Sequence, residues 1–451
     1  MVEQPLVNLP RYDAYKDSGI EWLGDIPVGW EVHRFRNLFQ FSKGLNITKE
    51  NLQDTGVPCV NYGEVHSKYG FEVNPNKHLL KCVSDEYLAD SSKSLLSNGD
   101  FIFADTSEDI EGSGNFSQLV NATKPVFAGY HTVIARPQGA VYHRFLAYVC
   151  DSLSYRAQIR KSVKGVKVYS VTKAILKDTF VWLPSFIEQQ AIAAYLDQKT
   201  ARIDQAVAMK ERQIELLKER RQILIQQAVT RGLDPDAPLK DSGVDWIGEV
   251  PAHWDIKRAK YLFTEVDERS EEGKEELLSV SHMTGVTPRS EKNVTMFMAE
   301  NYTGSKTCQK NDLVFNIMWA WMGALGVADR PGIVSSSYGI YRQRVENSFN
   351  PLYLEWLLKT VGYIEHYNRV STGLHSSRLR FYSHMFMDME IGFPSIEEQN
   401  TIVDYVQAES AKLNQAITLQ QQQIDKLKEF RATLINSVVT GKVKVPQPEV
   451  A

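Results

Sequence analysis

The chain has 451 residues, with 51 basic and 55 acidic side chains and a net charge of −4. That length implies two or three domains, each able to bury a core, and the charge balance excludes a uniformly basic nucleic-acid binder, so phosphate contacts must come from local patches. No stretch approaches the roughly 18 consecutive apolar residues of a membrane span. The start, MVEQPLVNLPRY, carries no apolar run of the signal-peptide kind. Cys59, Cys82, Cys150 and Cys308 are scattered without a CxxC pair, which predicts reduced structural thiols and a cytoplasmic protein. The histidines form neither an HExxH nor a His/Cys cluster, so no metal site is expected.

In chain order the first element is a turn-rich segment, KDSGIEWLGDIPVGWEVHR at 16–34, which returns as KDSGVDWIGEVPAHWDIKR at 240–258 with nine of nineteen positions identical. It is too punctuated by Gly and Pro for a long helix, and Trp22, Trp30, Trp246 and Trp254 are expected to pack on the domain that follows. Mixed α/β inserts follow each copy, at 40–181 and 264–391. In both, short strand-like runs (57–60, 101–103 and 133–135; 277–280 and 313–315) alternate with helical stretches at 143–160 and 351–368. The runs at 98–103 (NGDFIF) and 310–315 (KNDLVF) are alike, so the inserts read as one fold with divergent surfaces.

Each insert ends at a second repeat, 184–230 and 394–440, with nineteen of forty-seven positions identical. Pro184-Ser185-x-x-Glu188 and Pro394-Ser395-x-x-Glu398 predict capping boxes in which the glutamate returns a bond to the serine N–H. No Pro or Gly interrupts the next 44 or so residues, giving helices of some 65 Å at roughly 1.5 Å per residue. Gly232 and Gly441 are the stops. Seven-residue apolar seams run through both: Leu196, Ile203, Lys210, Leu217, Leu224 beside Val207, Ile214, Arg221, Ala228; and Val406, Leu413, Gln420, Leu427, Leu434 beside Ile417, Ile424, Arg431, Val438. Matching seams with coincident polar breaks predict that the two helices pair with each other, antiparallel, as a coiled coil about a pseudo-twofold. The fold class is therefore α/β (α+β): two globular α/β domains joined by two long helices. The expected divisions are 1–181, 182–233, 234–391 and 392–451.

These residues resemble the specificity (S) subunit of bacterial type I restriction–modification systems. The likeness lies in the lead-in KDSGIEWLGDIPVGWEV, the helix start LPSFIEQQAIAAYLD, and the doubled VWLPS…EQ and IGFPS…EQ, and it covers essentially the whole chain. It implies that the inserts are target recognition domains, each reading half of a split double-stranded DNA site, and that the long helices are spacers that bind the methyltransferase (M) subunits, expected to be two. Restriction (R) subunits are further expected partners. S-adenosylmethionine, ATP and magnesium are expected only in those subunits, and this chain is expected to be non-catalytic. Two unlike readers at a fixed separation demand an asymmetric, gapped target, because half-site spacing is set by protein geometry.

Recognition needs cations for phosphates and side chains that reach base edges. In the first insert the DNA-binding candidates are Lys43 in a presumed flexible turn (42–44), Tyr62, Lys68 and Tyr69 in Gly-containing loops, and Lys164, Lys167 and Tyr169 in the cationic run 160–169. In the second they are Arg369, His375, Arg378 and Arg380, in a run (369–381) matched to 160–169 as the equivalent loop. The Trp319-Ala320-Trp321 run is expected in the core. No Asn/Asp-Pro-Pro-aromatic motif, Gly-rich cofactor loop or GxxxxGK[ST] loop is present, and Asp105, Glu108 and Asp109 read as a solvated loop. A coiled-coil protein scaffold and a nuclease with an unrecognised site are the alternatives; two unlike inserts on like frames weigh against the former, and the missing metal and cofactor motifs against the latter.

Overall fold

The computed structural model describes residues 9–165, 167–292, 301–373 and 379–446. It divides into two compact units, Met1–Lys210 with Gln422–Ala451, and Glu211–Gln421. Each unit therefore contains one lead-in, one insert and parts of both long helices, Phe186–Arg231 and Ile396–Val439.

In the first unit the lead-in is a small hairpin, Tyr15–Asp17 against Asp25–Pro27. Asp17 Oδ1 accepts the Gly19 N–H at 2.9 Å, and Gly19 and Gly24 hold φ of 71° and 70°, a region that favours glycine. The next strand, Glu31–Arg34, pairs antiparallel with Phe180–Leu183, the strand that enters the long helix. The insert between them is built on a five-stranded sheet in the order Phe39–Lys43, Thr132–Pro137, Phe101–Ala104, Phe116–Leu119, Phe71–Val73. Its pairings are antiparallel except the last. A smaller sheet joins Phe127–Ala128, Val57–Val60 and Cys82–Val83.

The second unit repeats this plan. Leu239–Asp241 pairs with Glu249–Pro251, Asp241 Oδ1 accepts the Gly243 N–H at 2.9 Å, and Asp255–Arg258 pairs with Glu390–Phe393. Its sheet runs Phe263–Glu265, Gly339–Gln343, Leu313–Phe315, Leu325–Val327, the order of the first four strands of the first unit. Even the ion pair that locks the sheet is duplicated: Arg136 to Asp100 at 2.9 Å and Arg342 to Asp312 at 2.8 Å, with each aspartate almost fully buried. Those aspartates are one of the two residues that NGDFIF and KNDLVF share, the other being Phe103 and Phe315. Each predicted helix in the inserts is two helices: His143–Asp151 and Leu153–Ser162, broken at the N-cap Ser152, and Pro351–Leu358 and Val361–Val370, broken at the N-cap Thr360.

The seam positions are the covered ones. Leu196, Ile203, Ile214, Ala228, Val406, Ile424, Leu427, Leu434 and Val438 are buried, while most positions between them are exposed. Helix direction is antiparallel within each unit taken alone. In the first, Asp204 meets Arg431 at 3.4 Å and Lys210 donates to Gln423; in the second, Arg221 donates to Asn414 at 2.7 Å and Gly232 lies beside Glu398. The breaks in the seam are thus cross-helix polar pairs, which favour one register. Gly232 and Gly441 cap the helices with φ of 74° and 72°.

The glutamates of the expected capping boxes do something else. Ser185 and Ser395 do accept the N–H of Glu188 and Glu398, at 3.4 and 3.3 Å, but the carboxylates turn away. Glu188 accepts from Tyr12 Oη at 2.6 Å and Trp30 Nε1 at 3.4 Å; Glu398 accepts from Trp254 Nε1 at 3.1 Å and meets His253 at 2.8 Å. The following glutamine joins the helix to the insert. Gln189 accepts the Tyr142 N–H and donates to Pro184 O, and Gln399 accepts the Asn350 N–H and donates to Pro394 O. In each unit the motif PSxxEQ is therefore a three-way joint of lead-in, insert and spacer. Of the lead-in tryptophans, Trp30 and Trp254 are core residues, whereas Trp22 is 41% exposed.

Candidate nucleic-acid interface

In the first unit the strand Phe101–Ala104 runs into a loop at 105–115 that returns through Phe116–Leu119. Against it lies the cationic run. Tyr169–Ser170 pairs antiparallel with Thr106–Ser107, the Val171 N–H donates to Asp105 O at 2.8 Å, and Arg160 donates to Glu111 O at 2.7 Å. Tyr62 faces the same loop: burial, then Glu108, Asp109 and Asp105, push its hydroxyl pKa up. Its ring stacks on His66 at 5.1 Å, and Asn115 Nδ2 donates to His66 O at 3.2 Å. Tyr62 and Tyr169 thus meet one loop, and Lys164 and Lys167, both exposed, shortly precede Tyr169 in the chain.

Lys43 ends the edge strand Phe39–Lys43, opposite Val133, and is no flexible turn; strand pairing with Thr132–Pro137 fixes it. Its neighbour is Lys173, the first residue of the helix Lys173–Asp178. Burial and the adjoining Lys43 and Lys177 hold the Lys173 ammonium below its ordinary pKa. Among the described residues none of these three lysines is in an ion pair, so they form a concentrated, unneutralised positive patch. Lys173 and Lys177 were not picked out by the sequence, because the patch unites a strand end with a helix 130 positions further on. Lys68 is exposed but already pairs with Glu64 at 3.6 Å. Tyr69 is committed to structure, stacked on His78 at 4.3 Å with its hydroxyl donating to Leu79 O at 3.0 Å.

The second unit presents a different surface on the equivalent elements. The Phe381 N–H donates to Ile317 O at 3.0 Å, as Val171 does to Asp105, and Thr372 bridges Arg380. The loop between Leu313–Phe315 and Leu325–Val327 takes the place of 105–115 but holds no carboxylate. It carries Trp319, 45% exposed and stacked on Trp321 at 5.8 Å. Trp319 is therefore a surface residue where core was expected, because only Ala320 turns inward. Tyr382, also exposed, is a further surface aromatic on this unit. Arg369 is exposed on the helix Val361–Val370, 3.5 Å from His366, and Arg380 is half-buried. His375 and Arg378 lie outside the described residues.

Among the described residues no group of His, Cys, Asp and Glu could hold a metal, and no helix is long and apolar enough to cross a membrane. The four cysteines are buried and free, and burial pushes the Cys59 thiol up to about 12 and Cys308 to about 11, which leaves them protonated and unreactive.

Residues 27–216 match the family model of the type I restriction modification DNA specificity domain. The type I restriction enzyme MjaVIII specificity subunit of Methanocaldococcus jannaschii is 20% identical over 439 residues, 93% of this chain and 94% of that protein. The putative type I restriction enzyme MjaX specificity subunit of the same organism is 21% identical over 444 residues, 94% of this chain and 96% of that protein. A solved chain described under "Structural basis underlying complex assembly and conformational transition of the type I R-M system" shares the fold, with a TM-score of 0.64 at 16% identity over 92% of this chain and 98% of that one.

Proposed function

Because the chain belongs to the specificity subunits of type I restriction–modification systems, the non-catalytic components that recognise DNA sequence, we propose that its two inserts read the two halves of one asymmetric, gapped duplex target. One observation carries this reading. The two units share sheet order, the buried Arg–Asp pair and the PSxxEQ joint, yet differ on the equivalent exposed loops. The first offers tyrosine, carboxylates and a lysine patch; the second offers stacked indoles and arginine. A shared scaffold with unlike faces is what two distinct sequence preferences require.

Lys43, Lys173, Lys177, Lys164 and Lys167 supply phosphate contacts that set register, and Arg369 and Arg380 do so in the second unit. Carboxylates at Glu108 and Asp109 accept from exposed base amino groups, as Asp and Glu do with cytosine N4. The long helices fix the gap and carry the methyltransferase subunits. Methyl transfer, cleavage and the S-adenosylmethionine, ATP and magnesium they need belong to the methyltransferase and restriction partners. Coexpression with methyltransferase subunits, followed by genome-wide mapping of methylated adenines, tests this: a two-part site with unlike halves and a constant gap supports it, and a continuous or palindromic site overturns it.

A further inference from the structure

The duplication exposes one place where the second unit lacks what fills the first. Trp182, fully buried, closes the first unit's three-way joint, and its indole N–H donates to Val439 O at the end of the second long helix. The equivalent residue is Gly392, paired with Ile256 as Trp182 is with Val32. The helix end is not left bare. Val229 O, the counterpart of Val439 O, accepts instead from Tyr353 Oη at 3.0 Å, and the residue aligned with Tyr353 is Phe145, which has no hydroxyl. The two units thus make a compensated exchange, Trp182 with Phe145 against Gly392 with Tyr353. The carbonyl is satisfied both ways, and only the indole volume is missing.

That volume is a cavity of about 230 Å³ in the second unit, partly open and of mixed lining, with Gly392, Trp246 and Tyr363 beside the polar Thr230, Arg231 and Glu249. Nothing in the backbone closes it: a Cβ on Gly392 would sit 3.6 Å from Val250 Cγ1, an ordinary contact. Trp246, the counterpart of Trp22, has turned onto His366 and Tyr363, with ring centroids 4.2 and 4.8 Å away, so an aromatic wall faces the space.

We propose that this cavity is a binding site for a small, planar aromatic molecule of two-ring size, seated where the first unit holds its own indole. The site is independent of the DNA-reading surface and stands whether or not that assignment holds. Indole itself is the probe. Titrated into the full-length chain, it is expected to raise the thermal midpoint and perturb tryptophan fluorescence saturably, with one molecule per chain. Gly392→Trp fills the cavity and is expected to abolish binding while keeping or raising the midpoint without ligand. Gly392→Leu, a smaller intrusion that is easier to accommodate, is expected to weaken binding at least about tenfold. Absence of saturable binding to the unaltered chain overturns the proposal, and so does binding that survives both substitutions.

Discussion

The indole nitrogen of Trp254 donates to Oε1 of Glu398 at 3.1 Å across 144 residues of sequence. Trp30 and Glu188 repeat the contact in the first unit. The bond links the two repeated stretches of the chain, which explains why lead-in and helix start recur together while the inserts between them diverge. Removing the acceptor leaves a buried indole N–H unpaired, which costs about 1–3 kcal/mol. Glu398→Ala is therefore expected to lower stability to urea by that amount and Glu398→Gln by less, since the amide oxygen still accepts. Equal stability of Glu398→Ala and the unaltered chain would show that the joint is incidental.

Arg342 and Asp312 bind the central strands of the second unit's sheet. Asp312 also accepts the Gln309 N–H at 2.8 Å, so it holds turn and sheet at once. Arg342→Met strands a carboxylate that is almost wholly buried. Breaking a buried pair costs about 3–5 kcal/mol, and the partly exposed guanidinium places the expected loss toward the lower end. The double change Arg342→Met with Asp312→Asn is expected to recover much of it, because no uncompensated charge remains. Urea unfolding of the single and double variants checks both values.

The lysine patch predicts a salt effect. If Lys173 and Lys177 meet phosphates, Lys173→Ala and Lys177→Ala each weaken duplex binding at every sequence and reduce the slope of log affinity against log salt by about one. Lys68→Ala is expected to change the slope less, since Lys68 already pairs with Glu64. Anisotropy titrations across salt concentrations measure these slopes, and unchanged slopes in both patch variants would remove the phosphate assignment.

His366 gives the second unit a pH response. Burial, with Arg369 adding to it, lowers its pKa from 6.5 to about 4. The folded form keeps the ring neutral while the unfolded chain protonates it, so the unfolded state binds more protons between these values. Stability then rises with pH across that window and falls as pH drops from about 6.5 toward 4. His366→Gln is expected to flatten that part of the stability profile, measured by chemical unfolding at successive pH values; an unaltered profile would contradict it.

The scaffold was legible because it is periodic or repeated. Heptad spacing marked Leu196, Ile203, Val406 and Leu434, and the recurrent Gly19, Gly24, Gly243 and Gly248 marked tight turns. Contacts between distant segments were not. The motif at Glu188 suggested a local capping bond because sequence shows only near neighbours, whereas the carboxylate is taken by Tyr12 and Trp30. Lys43 gave no sign of Lys173 for the same reason. Trp319 was misplaced because apolar neighbours suggest burial, while a turn can carry a large ring outward.

The central claim is that each insert reads its own half of the target. Replacing 264–391 with the corresponding insert of another specificity subunit, in cells that supply the methyltransferase subunits, tests it through the map of methylated adenines. The expected map keeps one half-site and the gap and changes the other half. A map in which both halves change together, or neither does, would contradict the account.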